Sequence, residues 1–146
     1  MNGFLLDTNV LSELRKGARC DPGARAWVLQ ADPEELFVSA LVLGEIRHGL
    51  ERIRSRDAGQ AGTLEGWLNT LSREFADRIL AVDERVADQW GRLGLTRPVP
   101  TVDALMAATA LVHDLTVVSR DEAGFRLTGV RFLNPFSESQ PGHVNR

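Results

Sequence analysis

The sequence predicts an α/β fold: a single three-layer α/β/α domain around a central, mainly parallel sheet of short strands. Three observations predict it. Short, solidly apolar runs recur along the chain, the pattern of strands buried on both faces. Longer segments with apolar residues at helical spacing lie between them. The alternation of the two continues to about residue 136, the order that gives a parallel sheet covered on both sides.

Gly3-Phe4-Leu5-Leu6 reads as the first strand, stopped by Asp7-Thr8-Asn9, three residue types that cap helices. A short helix is expected over 10–16, with Gly17 as its stop, and another over 22–30, opened by Pro22. Leu36-Phe37-Val38 is the second strand, and Ser39 caps a helix over 40–53. Residues 54–62 read as a polar, glycine-containing loop. Leu64, Trp67, Leu68, Leu71 and Phe75 then repeat at helical spacing, which predicts a helix over 63–75. A third strand is expected at 79–82, and Asp83 caps a helix to about Leu95. Arg97-Pro98-Val99-Pro100 is a rigid linker, and Thr101 is read as the cap of an alanine-rich helix ending at His113. Leu115-Thr116-Val117-Val118 is the fourth strand, ended by Ser119-Arg120-Asp121. A short helical piece and a fifth strand over 130–133 follow. Residues 1–136 are assigned to the domain and 137–146 to a polar C-terminal tail.

The chain has 146 residues, of which 43% are hydrophobic and 25% charged, values of a globular domain and not of a disordered chain. No apolar stretch approaches the roughly 20 residues that span a bilayer. The N-terminus has no basic start and its apolar run ends at Asp7, so no signal peptide is expected and the expected location is cytoplasmic. Cys20 is the one cysteine, which excludes an internal disulfide and a cysteine-bound metal cluster. The net charge of −3 supplies no global attraction for nucleic acid, so any such binding must rest on a local basic surface. Arg47, Arg52, Arg54 and Arg56 are one such cluster.

Four acids stand out by position. Asp7 and Asp121 fall directly after the first and fourth strands, at the carboxyl edge where parallel sheets bind ligands. Asp103 lies in the first turn of a helix. Glu45 sits one turn beyond Leu41, at the margin of the apolar stripe Leu41, Val42, Ile46, Leu50 and Ile53. Each acid alone has a structural explanation, as a cap, as a partner of the helix dipole or as a solvated side chain. Four carboxylates brought to one sheet edge would repel one another, and a multivalent cation removes that penalty. Donors that are all oxygen select a hard ion, Mg²⁺ or Mn²⁺. Such an ion activates water and offsets the charge that builds on a phosphodiester under attack. Asp7, Glu45, Asp103 and Asp121 are therefore the candidate metal ligands and catalytic residues. Thr8, Asn9, Ser119 and Arg47 are the candidate substrate contacts, with Thr8 and Asn9 also placed to orient Asp7.

These residues lie in stretches that resemble a known family. Phe4-Leu5-Leu6-Asp7-Thr8-Asn9 with Leu11-Ser12-Glu13-Leu14, and Ser39-Ala40-Leu41-Val42-Leu43-Gly44-Glu45, look like the first two motifs of PIN domains. Asp103-Ala104-Leu105-Met106-Ala107-Ala108 and Leu115-Thr116-Val117-Val118-Ser119-Arg120-Asp121 look like the next two. The ending Val130-Arg131-Phe132-Leu133-Asn134-Pro135-Phe136 is similar to the close of VapC and FitB-type toxins. The resemblance implies a PIN fold and endonucleolytic cleavage of RNA with Mg²⁺ or Mn²⁺. It also implies a cognate antitoxin that blocks the site, a homodimer, and contact with DNA only through the antitoxin. Asp7, Glu45 and Asp103 match the first three acids of the family. A fourth acid often stands where this chain has Gly124, and Asp121 fills a slot that holds Asn or Asp.

Two other enzyme classes place an aspartate after the first strand, phosphotransferases of the haloacid-dehalogenase type and response-regulator receivers. The former need a second acid two residues on, where this chain has Asn9. Both need a late lysine, and Lys16 is the only lysine here. The remaining alternative is a degenerate PIN domain that serves as a dimerisation or binding module, which Gly124 favours and the retained acids oppose.

Overall fold

A computed structural model describes residues 3–139. Five strands, β1 (Gly3–Leu6), β2 (Leu36–Ser39), β3 (Ile79–Leu80), β4 (Leu115–Val118) and β5 (Phe132–Leu133), form one sheet in the order β3-β2-β1-β4-β5. Every pairing is parallel. Seven helices flank it: α1 (Thr8–Leu14), α2 (Pro22–Gln30), α3 (Ala40–Arg54), α4 (Ala58–Glu74), α5 (Glu84–Arg92), α6 (Thr101–His113) and α7 (Glu122–Arg126). This is the expected α/β/α arrangement, with an all-parallel sheet.

The apolar runs explain the sheet. Leu5, Val38 and Val117, from its three central strands, are fully buried, as strands covered on both faces must be. From β1 the chain builds outward through β2 to β3, then crosses back by α5 and α6 to lay β4 on the other side of β1. That reversal opens a crevice beyond the carboxyl ends of β1 and β4, the place where open parallel sheets bind ligands. The register aligns Leu6 with Val118, so the residues that follow them emerge side by side. The ladder continues one step further, with Asp7 N–H donating to the Val118 carbonyl at 2.9 Å.

Several element bounds differ from the sequence reading. The expected loop over 54–62 is mostly helix: α3 runs to Arg54 and α4 opens at Ala58, with Asp57 Oδ1 accepting from Gln60 N–H at 3.0 Å as the cap. Thr101 is not a cap but the first residue of α6. Pro100 takes the capping position and offers no side-chain hydrogen bond. The third and fifth strands shrink to two residues each because they pair on one side only, at the sheet edges. The start of the expected tail is docked: Ser137 Oγ accepts from Gly23 N–H at 3.0 Å, and Ser137 N–H donates to Asp21 Oδ2 at 2.9 Å. A Cβ on Gly23 would come within 2.6 Å of the Pro135 carbonyl, so glycine there permits this close approach. Residues 140–146 of the expected tail lie outside the described residues.

Candidate active site

The crevice beyond β1 and β4 is lined with carboxylates. Asp7 caps α1 and is only 6% exposed, yet each of its oxygens is held. Oδ1 accepts from Thr8 N–H at 2.8 Å. Oδ2 accepts from the Ser119 hydroxyl at 2.7 Å and from Asn9 Nδ2 at 3.3 Å. Ser119 is fully buried, and its oxygen in turn accepts from Asn9 Nδ2 at 3.1 Å and from Asp121 N–H at 3.0 Å. Asn9 Oδ1 closes the network by accepting from Arg120 N–H at 3.1 Å. The loop after β4 is thereby pinned to the loop after β1, and Asp7 has little freedom to turn.

Asp103 reaches the crevice from the first turn of α6, and Asp121 from the cap of α7, where its Oδ1 also accepts from Gly124 N–H at 3.2 Å. Glu45 faces it from the second turn of α3, and its Oε1 accepts from the Thr8 hydroxyl at 2.8 Å. The electrostatics show that all four acids share one neighbourhood. The Asp103 carboxyl is pushed up to about 7, first by burial, then by the charge of Asp7, by a hydrogen bond with Asp121, and by the charges of Asp121 and Glu45. Asp7 is also shifted upward, chiefly by burial, with the Ser119 and Thr8 hydrogen bonds opposing and the charge of Asp121 adding.

Gly124 borders the same space. A Cβ built on it would lie 2.8 Å from Asp121 Oδ2 and 3.3 Å from Asp103 Oδ2. The Asp121 carboxylate thus occupies the volume that a side chain at 124 would enter.

The matching family model covers residues 4–130 and describes a PIN domain. The chain belongs to the PIN-domain family. Over 91% of its length this PIN domain is 32% identical to a VapC ribonuclease of Sinorhizobium fredii, 97% of which is covered. Over 92% of its length it is 32% identical to the toxin FitB of Neisseria gonorrhoeae, 99% of which is covered. Among solved structures, the crystal structure of FitAcB from Neisseria gonorrhoeae is similar with a TM-score of 0.80 at 31% identity, over 90% of this chain and 97% of that one. The structure of FitAB bound to an IR36 DNA fragment gives a TM-score of 0.81 at 27% identity, over 98% of each chain.

Of the eight residues singled out in the sequence, seven meet in the crevice of this PIN domain: Asp7, Thr8, Asn9, Glu45, Asp103, Ser119 and Asp121. Arg47 does not join them. Its guanidinium pairs with Glu65 on α4 and with Glu51 at 3.3 Å, on a different side of α3 from Glu45. Two residues along a helix turn by about 200°, so Arg47 and Glu45 cannot share a face. The sequence reading passed over Arg120, whose backbone N–H anchors Asn9; its place between Ser119 and Asp121 was the available signal. No group of three acids or histidines among the described residues is already set around one point as an ion cage. The donor chemistry nonetheless fits a hard divalent ion: the donors are all oxygen, and as carboxylates they repel one another.

No helix among the described residues is long and apolar enough to cross a membrane.

Proposed function

We propose that this PIN domain is the endoribonuclease toxin of a toxin–antitoxin pair and hydrolyses RNA phosphodiesters at the carboxylate crevice with Mg²⁺ or Mn²⁺. One observation carries the reading: acids from four separate elements converge on one crevice, where burial and then the charges of its neighbours raise Asp103 to about 7. A stable fold gains nothing from such repulsion, whereas a divalent ion turns it into affinity. The relatives that cover most of the chain are named as a ribonuclease and a toxin, which supports the same chemistry here.

In this account Asp7, Asp103 and Asp121 hold the ion and Glu45 orients the attacking water. When bound, the ion would polarise that water and offset charge on the phosphate. Ser119, Asn9 and the Thr8 N–H fix the Asp7 carboxylate, and Oδ1, which accepts one hydrogen bond, retains lone-pair capacity for an ion. Thr8 holds Glu45 through its hydroxyl. The proton that Asp103 keeps up to about 7 competes with the ion, so ion binding should strengthen as pH rises past 7. Ser119 and Asn9 act on Asp7 here and not directly on the substrate. A cognate antitoxin and a homodimer complete the proposal, supported by the likeness to FitAcB and to FitAB on DNA.

The degenerate-module alternative draws on Gly124; against it stands Asp121, whose Oδ2 lies 2.8 Å from where a Cβ at 124 would be. The test is cleavage of total RNA by the purified chain with Mn²⁺ and in chelator. Cleavage that needs the ion and leaves 5′-phosphate and 3′-hydroxyl ends is expected. Full cleavage in chelator, or 2′,3′-cyclic phosphate ends, would refute the metal mechanism. Failure to cut or to bind Mn²⁺ would favour the module.

A further inference from the structure

The stretch that follows β5 returns to the carboxylate crevice. Phe136 is buried, its N–H donates to Asn134 Oδ1 at 2.9 Å, and Ser137–Ser139 forms one turn of 3-10 helix. The docking of Ser137 on the cap of α2 fixes where Glu138 stands. Glu138 takes both arms of the Arg120 guanidinium: Nε donates to Oε1 and Nη2 to Oε2, each at 2.6 Å. The guanidinium carbon lies 4.8 Å from the centre of the Phe136 ring. From the same stretch, Asn134 Nδ2 donates to Glu122 Oε1 at 3.3 Å. Asp121 is thus flanked on either side by a residue whose side chain is held from beyond β5.

We propose that Arg120 is a positioning residue of the metal site: gripped by Glu138 and stacked on Phe136, it sets the loop that carries Ser119 and Asp121, and through Asn9 it sets Asp7. The proposal rests on the metal-dependent ribonuclease reading. Three observations favour it.

The first is place. Ser119, one residue earlier, donates to Asp7 Oδ2, and Asp121, one residue later, is itself an acid of the crevice. The Arg120 N–H donates to Asn9 Oδ1, and Asn9 Nδ2 reaches both Asp7 Oδ2 and Ser119 Oγ. A turn of the backbone at 120 therefore moves two acids at once.

The second is energetic. The two side chains are 53% and 38% exposed, and an ion pair in that setting adds little to stability. A bidentate fork with a stacked ring does fix direction. Arg92–Asp88 and Arg126–Glu122 each tie one helix to itself, four residues apart. Arg120–Glu138 joins segments 18 residues apart and ends at the crevice.

The third is the direction of the charge. The acids that act most on the Arg120 guanidinium are Glu138, then Glu13 on α1 and Asp21 at the cap of α2. The cation is spent on that side, so Arg120 serves the crevice by holding the backbone and not by neutralising its acids.

The experiment uses the whole chain. Mn²⁺ affinity is read by calorimetric titration, and amide hydrogen exchange and melting temperature are read on metal-free protein. Glu138→Gln keeps the size of the side chain but offers one acceptor oxygen in place of two, so it breaks the fork. The melting temperature should hardly change. Mn²⁺ binding should weaken roughly fivefold, the order of a coupling within one hydrogen-bonded network. The amides of Arg120, Asp121 and Gly124 should exchange faster, while those of Val117 in β4 and Ala24 in α2 keep their rates. Arg120→Lys keeps the charge without the fork and should match Glu138→Gln. The two changes together should weaken Mn²⁺ binding no more than either alone, because both break one contact. Arg92→Ala removes a comparable exposed pair and should leave Mn²⁺ affinity unchanged. Wild-type Mn²⁺ affinity in both Glu138→Gln and Arg120→Lys reduces the pair to a surface contact and overturns the proposal, while the ribonuclease reading stands. Weaker Mn²⁺ binding with faster exchange at Val117 and Ala24 as well shows a general loosening of the fold and overturns it equally. If the wild type binds no Mn²⁺ and cuts no RNA, the metal-dependent reading has failed and the positioning role fails with it.

Discussion

Two groups of carboxylates, both drawing on α3, are treated in opposite ways. On the side that packs against α4, Glu51 and Glu65 meet Arg47 and Arg54, and both acids are held below the usual carboxylate range, first of all by hydrogen bonds from those arginines. At the sheet edge, Glu45 joins Asp7, Asp103 and Asp121 with no cation among them, and Asp7 and Asp103 are pushed upward. The first group is neutralised by the protein itself and ties two helices together. The second is left to repel, held among the described residues by hydroxyl, amide and backbone donors. The same residue type thus marks structure where the chain supplies the countercharge, and chemistry where it leaves the countercharge to be supplied from outside.

The largest expected effect is at Asp7. Asp7→Asn keeps the shape and removes the most buried charge of the crevice, so cleavage should fall below detection while the melting temperature holds or rises. Loss of activity through unfolding alone would show that Asp7 is structural, like the acids of the α3–α4 seam. Next is Asp121→Asn. Asparagine caps a helix as well as aspartate does, so a residue that only caps α7 should tolerate it. A charge that belongs to the crevice should not, and the rate should fall at least ~10-fold, about 1.4 kcal/mol in the barrier. An unchanged rate across a Mn²⁺ titration would reduce Asp121 to a cap.

The third effect concerns pH. In the native state Asp103 keeps its proton up to about 7, whereas the unfolded chain releases it near the ordinary value of 3.8. Between those values the native state binds more protons than the unfolded one, so this residue's contribution to stability falls as pH rises through the window. Protein in chelator should melt at a higher temperature at pH 5 than at pH 8. Asp103→Asn should flatten the difference, and Mn²⁺ should restore stability at pH 8. Melting curves that are flat from pH 5 to 8 would show that the acids do not repel. The smallest effect is expected in the other group. Glu65→Gln removes the partner of two exposed arginines and should lower the melting temperature slightly in low salt and hardly at all in high salt, with cleavage unchanged.

Much of this was legible before any coordinates. The three central strands are solid apolar runs, and a parallel sheet fixes where their carboxyl ends lie, so Asp7 and Asp121 could be placed at one edge from pattern alone. For Glu45 and Asp103 the helical spacing gave only a stripe margin and a first turn, and the family resemblance marked them as site acids. What escaped lies in contacts between distant segments. The docking of Ser137 on the start of α2 spans more than a hundred residues and leaves no local periodicity. The first turns of α4, Ala58-Gly59-Gln60-Ala61-Gly62, have little apolar content and two glycines, so they read as a loop. The pairing of Arg47 with Glu65 also joins two helices, and the sequence pattern of α3 alone does not show it. The dual place of Asp121, cap and crevice acid, followed from the strand end, but only the structure shows that its carboxylate fills the space beside Gly124.

The most direct measurement of the central claim is calorimetric titration of Mn²⁺ into the chelator-treated wild-type chain at pH 6.5 and at pH 8.5, each in two buffers of different ionisation enthalpy. If the crevice exchanges the Asp103 proton for an ion, binding should be tighter at the higher pH. Proton release should then be measurable at pH 6.5 and nearly absent at pH 8.5, and all binding should be lost in Asp7→Asn. Binding that is absent in the wild type, or equally strong in Asp7→Asn and independent of pH, would contradict the account.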